Sequence, residues 1–287
     1  MAADSDSRRL TAFSRAAFVV ALLLFPGPTP AGEASASPWT NQTDSKVRLV
    51  SGTVELDGKP TLFAGVQLRM NPGWKTYWKN PGDSGVPPQF DWSESKNLKQ
   101  AEVLYPAPHS FDDGGGTAIG YDDEVLFPVK LTPEREGEPV ELKLAFEYGL
   151  CKDLCIPNAA ELDLAVGSAI GKGDARLIET FLARVPQQAA PGRLPEIAAT
   201  EFKFGGGAPE LIIDAIFAPG ATGTDLFIDG GDSLIPVPKP LGPSANGKQR
   251  FIVTFTTPAE AAAIKGKPLN FTLVSDQGST ETSWTAE

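Results

Sequence analysis

Three residues separate the only two cysteines of the chain, in Tyr148-Gly149-Leu150-Cys151-Lys152-Asp153-Leu154-Cys155-Ile156-Pro157. Sulfurs this close in sequence can form a structural bridge or cycle between dithiol and disulfide. Base rates for exported proteins favour the bridge. Chain entropy favours the cycle: closing five residues stabilises by only about 2 kcal/mol, against about 4.7 kcal/mol for a loop of a hundred. A staple meant for stability joins distant segments, and a tight pair at a loop is the more reducible kind. Lys152 favours a neighbouring thiolate and Asp153 opposes it, so the two charges leave the sign of the thiol pKa change open. A zinc site needs four ligands, and the chain has a single His, His109, so two thiolates and one remote imidazole do not make one.

The elements that must position the pair read as strands. In 140–148, Val140, Leu142, Leu144, Phe146 and Tyr148 share one face, while Glu141, Lys143 and Glu147 point the other way. That alternation is a half-buried strand of an antiparallel sheet. A second strand leaves at 161–166, so the cysteines occupy a hairpin-like connection. Continued in register, Cys151 falls on the wetter face, unless Gly149 introduces a bulge. Strands are also expected at 46–50, 61–70, 101–105 and 124–130. Leu62, Ala64, Val66, Leu68 and Met70 line one face of the second of these. Asp57-Gly58, Asn71-Pro72-Gly73, Asn80-Pro81-Gly82 and Gly114-Gly115-Gly116 are turn signals.

Beyond 167 the pattern changes. Leu177, Ile178, Phe181, Leu182 and Val185 have helical spacing, and Pro186 ends it. The stretch 186–199 reads as a linker. Strands follow at 201–204, 210–217, 224–229, 250–256, 269–275 and 281–285. A short helix interrupts them, with Thr257 as N-cap, Pro258 at N1 and Glu260 completing a capping box. The expected class is all-β: two β-sandwich domains, 37–168 and 198–287, joined by a helix and linker over 169–197.

Composition agrees. The 287 residues include 29 Gly and 26 Pro, which disfavours a mostly helical chain, and 41% are apolar, enough for a packed core. The net charge of −11 is opposite to the footprint of a nucleic-acid binder. At the N-terminus Arg8, Arg9 and Arg15 precede a ten-residue apolar run, 16–25, then Pro26-Gly27-Pro28 and Ala34-Ser35-Ala36. This is the order of a signal peptide over 1–36, and the run is too short to span a bilayer. The expectation is export to an oxidising compartment, without stable membrane insertion.

Several landmarks stand in order: Gly73-Trp74-Lys75-Thr76-Tyr77-Trp78-Lys79-Asn80-Pro81-Gly82-Asp83-Ser84-Gly85, Tyr105-Pro106-Ala107-Pro108, Gly120-Tyr121, Val125-Leu126-Phe127-Pro128-Val129 and Cys151-x3-Cys155-Ile156-Pro157. In these the chain resembles the amino-terminal periplasmic domain of DsbD-type thiol–disulfide interchange proteins, including the suppressor-of-copper-sensitivity branch. The resemblance covers roughly 40–168. It implies an immunoglobulin-like sandwich and assigns Cys151 and Cys155 as the redox pair. It also implies electrons received from a membrane-embedded partner and passed to periplasmic thiol proteins. The spacing here is tighter than in the best-studied members. Their aromatic cap loop corresponds to Phe111-Asp112-Asp113-Gly114-Gly115-Gly116, with Phe111 the nearest substitute for the capping aromatic. The same frame puts Tyr121 beside the cysteines, with Lys152 and Asp153 flanking them. The membrane and thioredoxin-like segments of full-length members have no counterpart in this chain, so the implied electron donor is a separate polypeptide.

Other features have blander readings. Trp74, Tyr77, Trp78, Phe90 and Trp92 suit core packing and a groove near the cysteines better than a sugar platform. Asp112, Asp113, Asp122 and Asp123 lack the spacing of a calcium loop and read as solvated acids. His109 reads as solvated or structural. The expected function is thiol–disulfide interchange with periplasmic thiol–disulfide proteins, needing no organic cofactor and no metal. The alternative is a non-catalytic cell-envelope binding module whose disulfide is structural.

Overall fold

The computed structural model describes Met1 and residues 35–56, 58–167, 174–204, 207–242 and 246–286. The signal peptide expected over 1–36 lies almost wholly outside them. Alternation of apolar and polar residues builds the first group of strands. These are β1 (Thr40–Gln42), β2 (Ser45–Leu56), β3 (Lys59–Met70), β4 (Lys75–Gly82), β5 (Gln89–Asp91) and β6 (Leu98–Val103). They continue with β7 (His109–Asp112), β8 (Thr117–Asp122), β9 (Glu124–Pro133), β10 (Val140–Cys151) and β11 (Cys155–Val166). One sheet has the order β1-β2-β3-β9-β6 and the other β11-β10-β4-β8-β7, with β5 added beside β10. Leu49, Val66 and Phe127 of the first sheet and Trp78, Ile119, Leu144 and Phe146 of the second lie in one buried cluster. The two sheets therefore form two layers over a shared core.

The helix α1 (Ala175–Leu182) is more than a connector. Its Ala175, Ile178 and Phe181 pack on Val50, Val54, Phe63 and Leu126, on the side of the first sheet away from the shared core. This explains why β3 is buried on both faces along its middle, where one-sided burial was expected. The close approach needs Gly52, because a Cβ there would lie 2.7 Å from the Ala175 nitrogen.

The second group comprises β12 (Gln187–Gln188), β13 (Glu196–Lys203), β14 (Glu210–Ile216), β15 (Asp225–Asp229), β16 (Lys239–Pro240) and β17 (Lys248–Thr254). Helix α2 (Pro258–Ala263) follows, then β18 (Pro268–Ser275) and β19 (Gly278–Thr285). Their sheets have the orders β12-β19-β18-β15 and β13-β14-β17-β16. Leu211, Ile213, Phe251 and Val253 of one meet Leu226, Ile228, Phe271 and Leu273 of the other in a second core. Thr257 caps α2 as expected, its Oγ1 accepting from the Glu260 N–H at 3.2 Å. The Glu260 carboxylate accepts from Thr256 N–H at 2.9 Å, one residue before the N-cap.

The stretch expected as a linker, 186–199, is built into the sheets at both ends. Gln187 and Gln188 pair in parallel with Thr280 and Glu281, and β13 begins at Glu196. The two groups of strands also touch directly. The Trp78 ring lies 5.9 Å from that of Phe227, and Asn80 Nδ2 donates to the Ile228 carbonyl at 2.6 Å. Lys79 Nζ lies 3.3 Å from Asp229 and 3.2 Å from Glu281.

Candidate functional site

Cys151 ends β10 and Cys155 begins β11. The ladder between these strands runs without a register shift from Val140↔Val166 to Cys151↔Cys155, and Gly149 pairs with Pro157. Gly149 therefore makes no bulge. The cysteines face each other across the last rung, with Cα atoms 4.1 Å apart and their sulfurs joined. Lys152, Asp153 and Leu154 form the turn.

The alternation holds to the end: Tyr148 and Leu150 enter the shared core and Cys151 takes the opposite face. That face is not the wet one expected. Cys151 is 2% exposed, in a small cluster with Tyr77 and Ala118 against which Phe111 packs. Cys155, across the rung, is exposed. The pair thus joins one exposed cysteine to one covered cysteine.

Tyr77 forms the cover because two glycines make room for its ring. A Cβ on Gly149 would come within 2.9 Å of Tyr77 Cε2. One on Gly85, whose φ is +103°, would overlap the ring. Two acceptors lie within reach of the phenol proton, Cys155 Sγ at 3.2 Å and the Asp113 carboxylate. Burial and then the Asp113 charge push the Tyr77 phenol up to about 12. A carboxylate oxygen of Asp113 and the two sulfurs all lie within 4.8 Å of one another. Ser84 Oγ donates to Asp113 Oδ2 at 2.5 Å, and Gly115 N–H donates to Oδ1 at 3.0 Å. These contacts hold the acid at the sulfurs. Once reduced, the cysteines would offer two soft thiolate donors beside the hard carboxylate oxygen of Asp113.

Phe111 stands on β7, opposite Ala118 of β8. Its ring is 6.3 Å from that of Tyr77, and Lys75 Nζ sits 5.3 Å from its centroid. Tyr121, expected beside the cysteines, is on the other side of the sheet. It packs in the shared core 5.6 Å from Phe127 and donates to the Pro106 carbonyl at 2.8 Å. The parity of β8 decides this, since Ala118 faces the disulfide cluster and Ile119 and Tyr121 face the core. Lys152 is exposed and donates to the Pro72 carbonyl at 3.3 Å; Asp153 is exposed in the turn. His109 Nε2 lies 3.0 Å from Asp122 Oδ2.

Sequence reasoning missed the roles of Tyr77 and Asp113. Tyr77 stood among the aromatics expected to shape a groove, but its neighbour Trp78 takes the core and only strand parity separates the two. Asp113 read as a solvated acid, and nothing in its local sequence marks the fold-back toward Ser84.

Comparisons with known proteins agree with this geometry. A family model, "Thiol:disulfide interchange protein DsbD, N-terminal", matches residues 54–166. The crystal structure of the N-terminal periplasmic domain of ScsB from Proteus mirabilis is similar in fold, with a TM-score of 0.69 at 22% identity. The match covers 88% of this chain and 98% of that one. No curated protein sequence matches. With its paired cysteines at the end of the β10–β11 hairpin, the segment 54–166 is similar to the DsbD N-terminal domain family.

Proposed function

We propose that this chain is an exported, periplasmic thiol–disulfide interchange protein whose Cys151–Cys155 disulfide exchanges with partner proteins. In this reading it comprises two immunoglobulin-like sandwiches, 37–168 and 198–287. The observation that carries the function is the asymmetry of the pair: Cys155 is open to a partner and Cys151 is 2% exposed. In reduction, a donor thiolate attacks Cys155 Sγ, the intramolecular S–S bond breaks and Cys151 leaves as the thiolate. A second donor thiolate then attacks the first donor cysteine's sulfur in the mixed disulfide, which forms the donor's disulfide and frees the Cys155 thiolate, so two electrons have passed. In the onward direction Cys155 attacks a client disulfide and Cys151 resolves the mixed disulfide. In this reading the donor is a membrane protein domain and the clients are periplasmic thiol proteins. Asp113 and the Tyr77 hydroxyl stand where protons move at the sulfurs.

Export rests on the signal-like N-terminus. Ser35 and Ala36 already belong to the fold, since the Ser35 carbonyl accepts from Ser51 N–H at 2.6 Å and Ala36 bridges to Val50. Cleavage before Ser35 keeps these contacts, and cleavage after Ala36 removes them.

The test is redox equilibration against a glutathione series, combined with trapping. The dithiol fraction should change within the glutathione range. Cys151→Ala, which leaves Cys155 unopposed, should accumulate mixed disulfides from a periplasmic extract, while Cys155→Ala should trap few. A bridge still oxidised below about −300 mV, in the range of structural bonds, sinks the reading. The same result together with unchanged partner binding by the double Cys→Ser variant would favour the non-catalytic module.

A further inference from the structure

Nothing in the exchange chemistry calls on residues 198–287. Yet, among the described residues, the hydrogen bonds, ion pairs and ring contact they make with the first group of strands fall on the two strands that carry the cover over the disulfide. Within the sheet order β10-β4-β8-β7, Tyr77 stands on β4 and Phe111 on β7. On β4, the residues right after Tyr77 are the gripped ones: Trp78 by Phe227, Lys79 by Asp229 and Glu281, and Asn80 by the Ile228 carbonyl. On β7, the residue right before Phe111 is gripped: Ser110 Oγ donates to Asp225 Oδ2 at 2.8 Å. Four of these five partners, Asp225, Phe227, Ile228 and Asp229, belong to the single strand β15, the outermost strand of its sheet.

β7 has particular need of such a hold. It is four residues long and is the edge of its sheet, paired on one side only, to β8. The loop that follows, Asp113 to Gly116, contains two glycines at positive φ, Gly114 at +83° and Gly116 at +153°. Short edge strands next to glycine loops open at low cost. Asp225 Oδ1 accepts from its own Leu226 N–H at 2.9 Å, which orients the carboxylate toward Ser110.

We infer that β15 is a positioning clamp for the redox site: through Ser110, Asp225 holds the Phe111 strand against Tyr77 and the covered sulfur of Cys151. The residues 198–287 thereby set how readily the disulfide meets a small or large reactant. Asp225 and Ser110 touch no reacting atom and are positioning residues. The inference rests on the cover described above, and it would survive the failure of the proposed exchange with partners. Its test uses a small reductant in place of a partner.

The probe is dithiothreitol, with the rate of Cys151–Cys155 reduction followed in the full chain well below the unfolding midpoint. Ser110→Ala and Asp225→Ala should each raise the rate about three- to tenfold, and Ser110→Thr, which restores a hydroxyl, should return it to the parent value. Phe111→Ala should raise the rate at least as much. Adding Ser110→Ala to Phe111→Ala should then give no further rise, because the clamp acts only through that ring. A parent-like rate in folded Ser110→Ala overturns the inference. So does a rise that persists undiminished in the Phe111→Ala background, since that is general loosening. Should Ser110→Ala or Asp225→Ala fail to fold by circular dichroism, Asp225→Asn carries the same two criteria.

Discussion

At the level of single residues, the site depends on absent side chains as much as on present ones. Gly149 leaves room for the Tyr77 ring at the end of β10, and a methyl group there would sit 2.9 Å from that ring. Gly149→Ala should displace Tyr77 and uncover Cys151. Overpacking of this kind costs about 1–3 kcal/mol, measurable by denaturant unfolding. Alkylation of Cys151 in the reduced protein should accelerate in the same variant. Unchanged stability together with unchanged alkylation would mean that the ring moves aside at no cost. The cysteines and Phe111 were legible in the sequence because the resemblance supplied their frame. Tyr121 was misplaced, because one residue of strand parity separates the disulfide face from the core. Asp113 was invisible, since its position depends on Ser84, which is distant in sequence.

At the level of elements, strands with strict alternation were readable and irregular ones were not. The readings over 140–148 and 61–70 match β10 and β3. β4 was hidden because Asn80-Pro81-Gly82 looks like a turn; it is the tail of a strand whose pairing with β8 shifts between Tyr77 and Gly82. A proline is tolerated at such an interruption because no ladder bond is required of it there. The period of α1 was plain, but its docking was not, because the face it covers is built from β2, β3 and β9 together. That docking makes a sharp prediction. Ile178 is fully buried, and Ile178→Ala should lower unfolding free energy by about 2–5 kcal/mol. Exposed Glu179→Ala on the same helix should stay within about 0.5 kcal/mol. Comparable urea midpoints for the two variants would show that α1 contributes little to the fold.

At the level of the whole molecule, all four tyrosines are withdrawn from water to some degree, and each phenol is raised. Burial is the leading cause in every case; Tyr77 and Tyr105 reach about 12 from an ordinary 10.0. Between pH 10 and about 12 the folded chain keeps protons that the unfolded chain releases. Stability therefore falls as pH rises through that window. Phenolate absorbance near 295 nm should be small at pH 11 in the native protein and should grow when denaturant is added at the same pH. Full absorbance before unfolding would contradict the packing around these rings. The overall β class was readable from Gly, Pro and alternation. The close apposition of the two groups of strands was not, because Lys79, Asn80 and Phe227 carry no marker of it in sequence.

The unbroken β10–β11 ladder has a consequence for the reduced protein. Main-chain bonds along two twelve-residue strands bring the cysteines face to face, so opening the S–S bond leaves their backbones where they were. The freed thiols remain at a high effective concentration toward each other. Reclosure is then a local event that waits only on an electron acceptor and asks nothing of the scaffold.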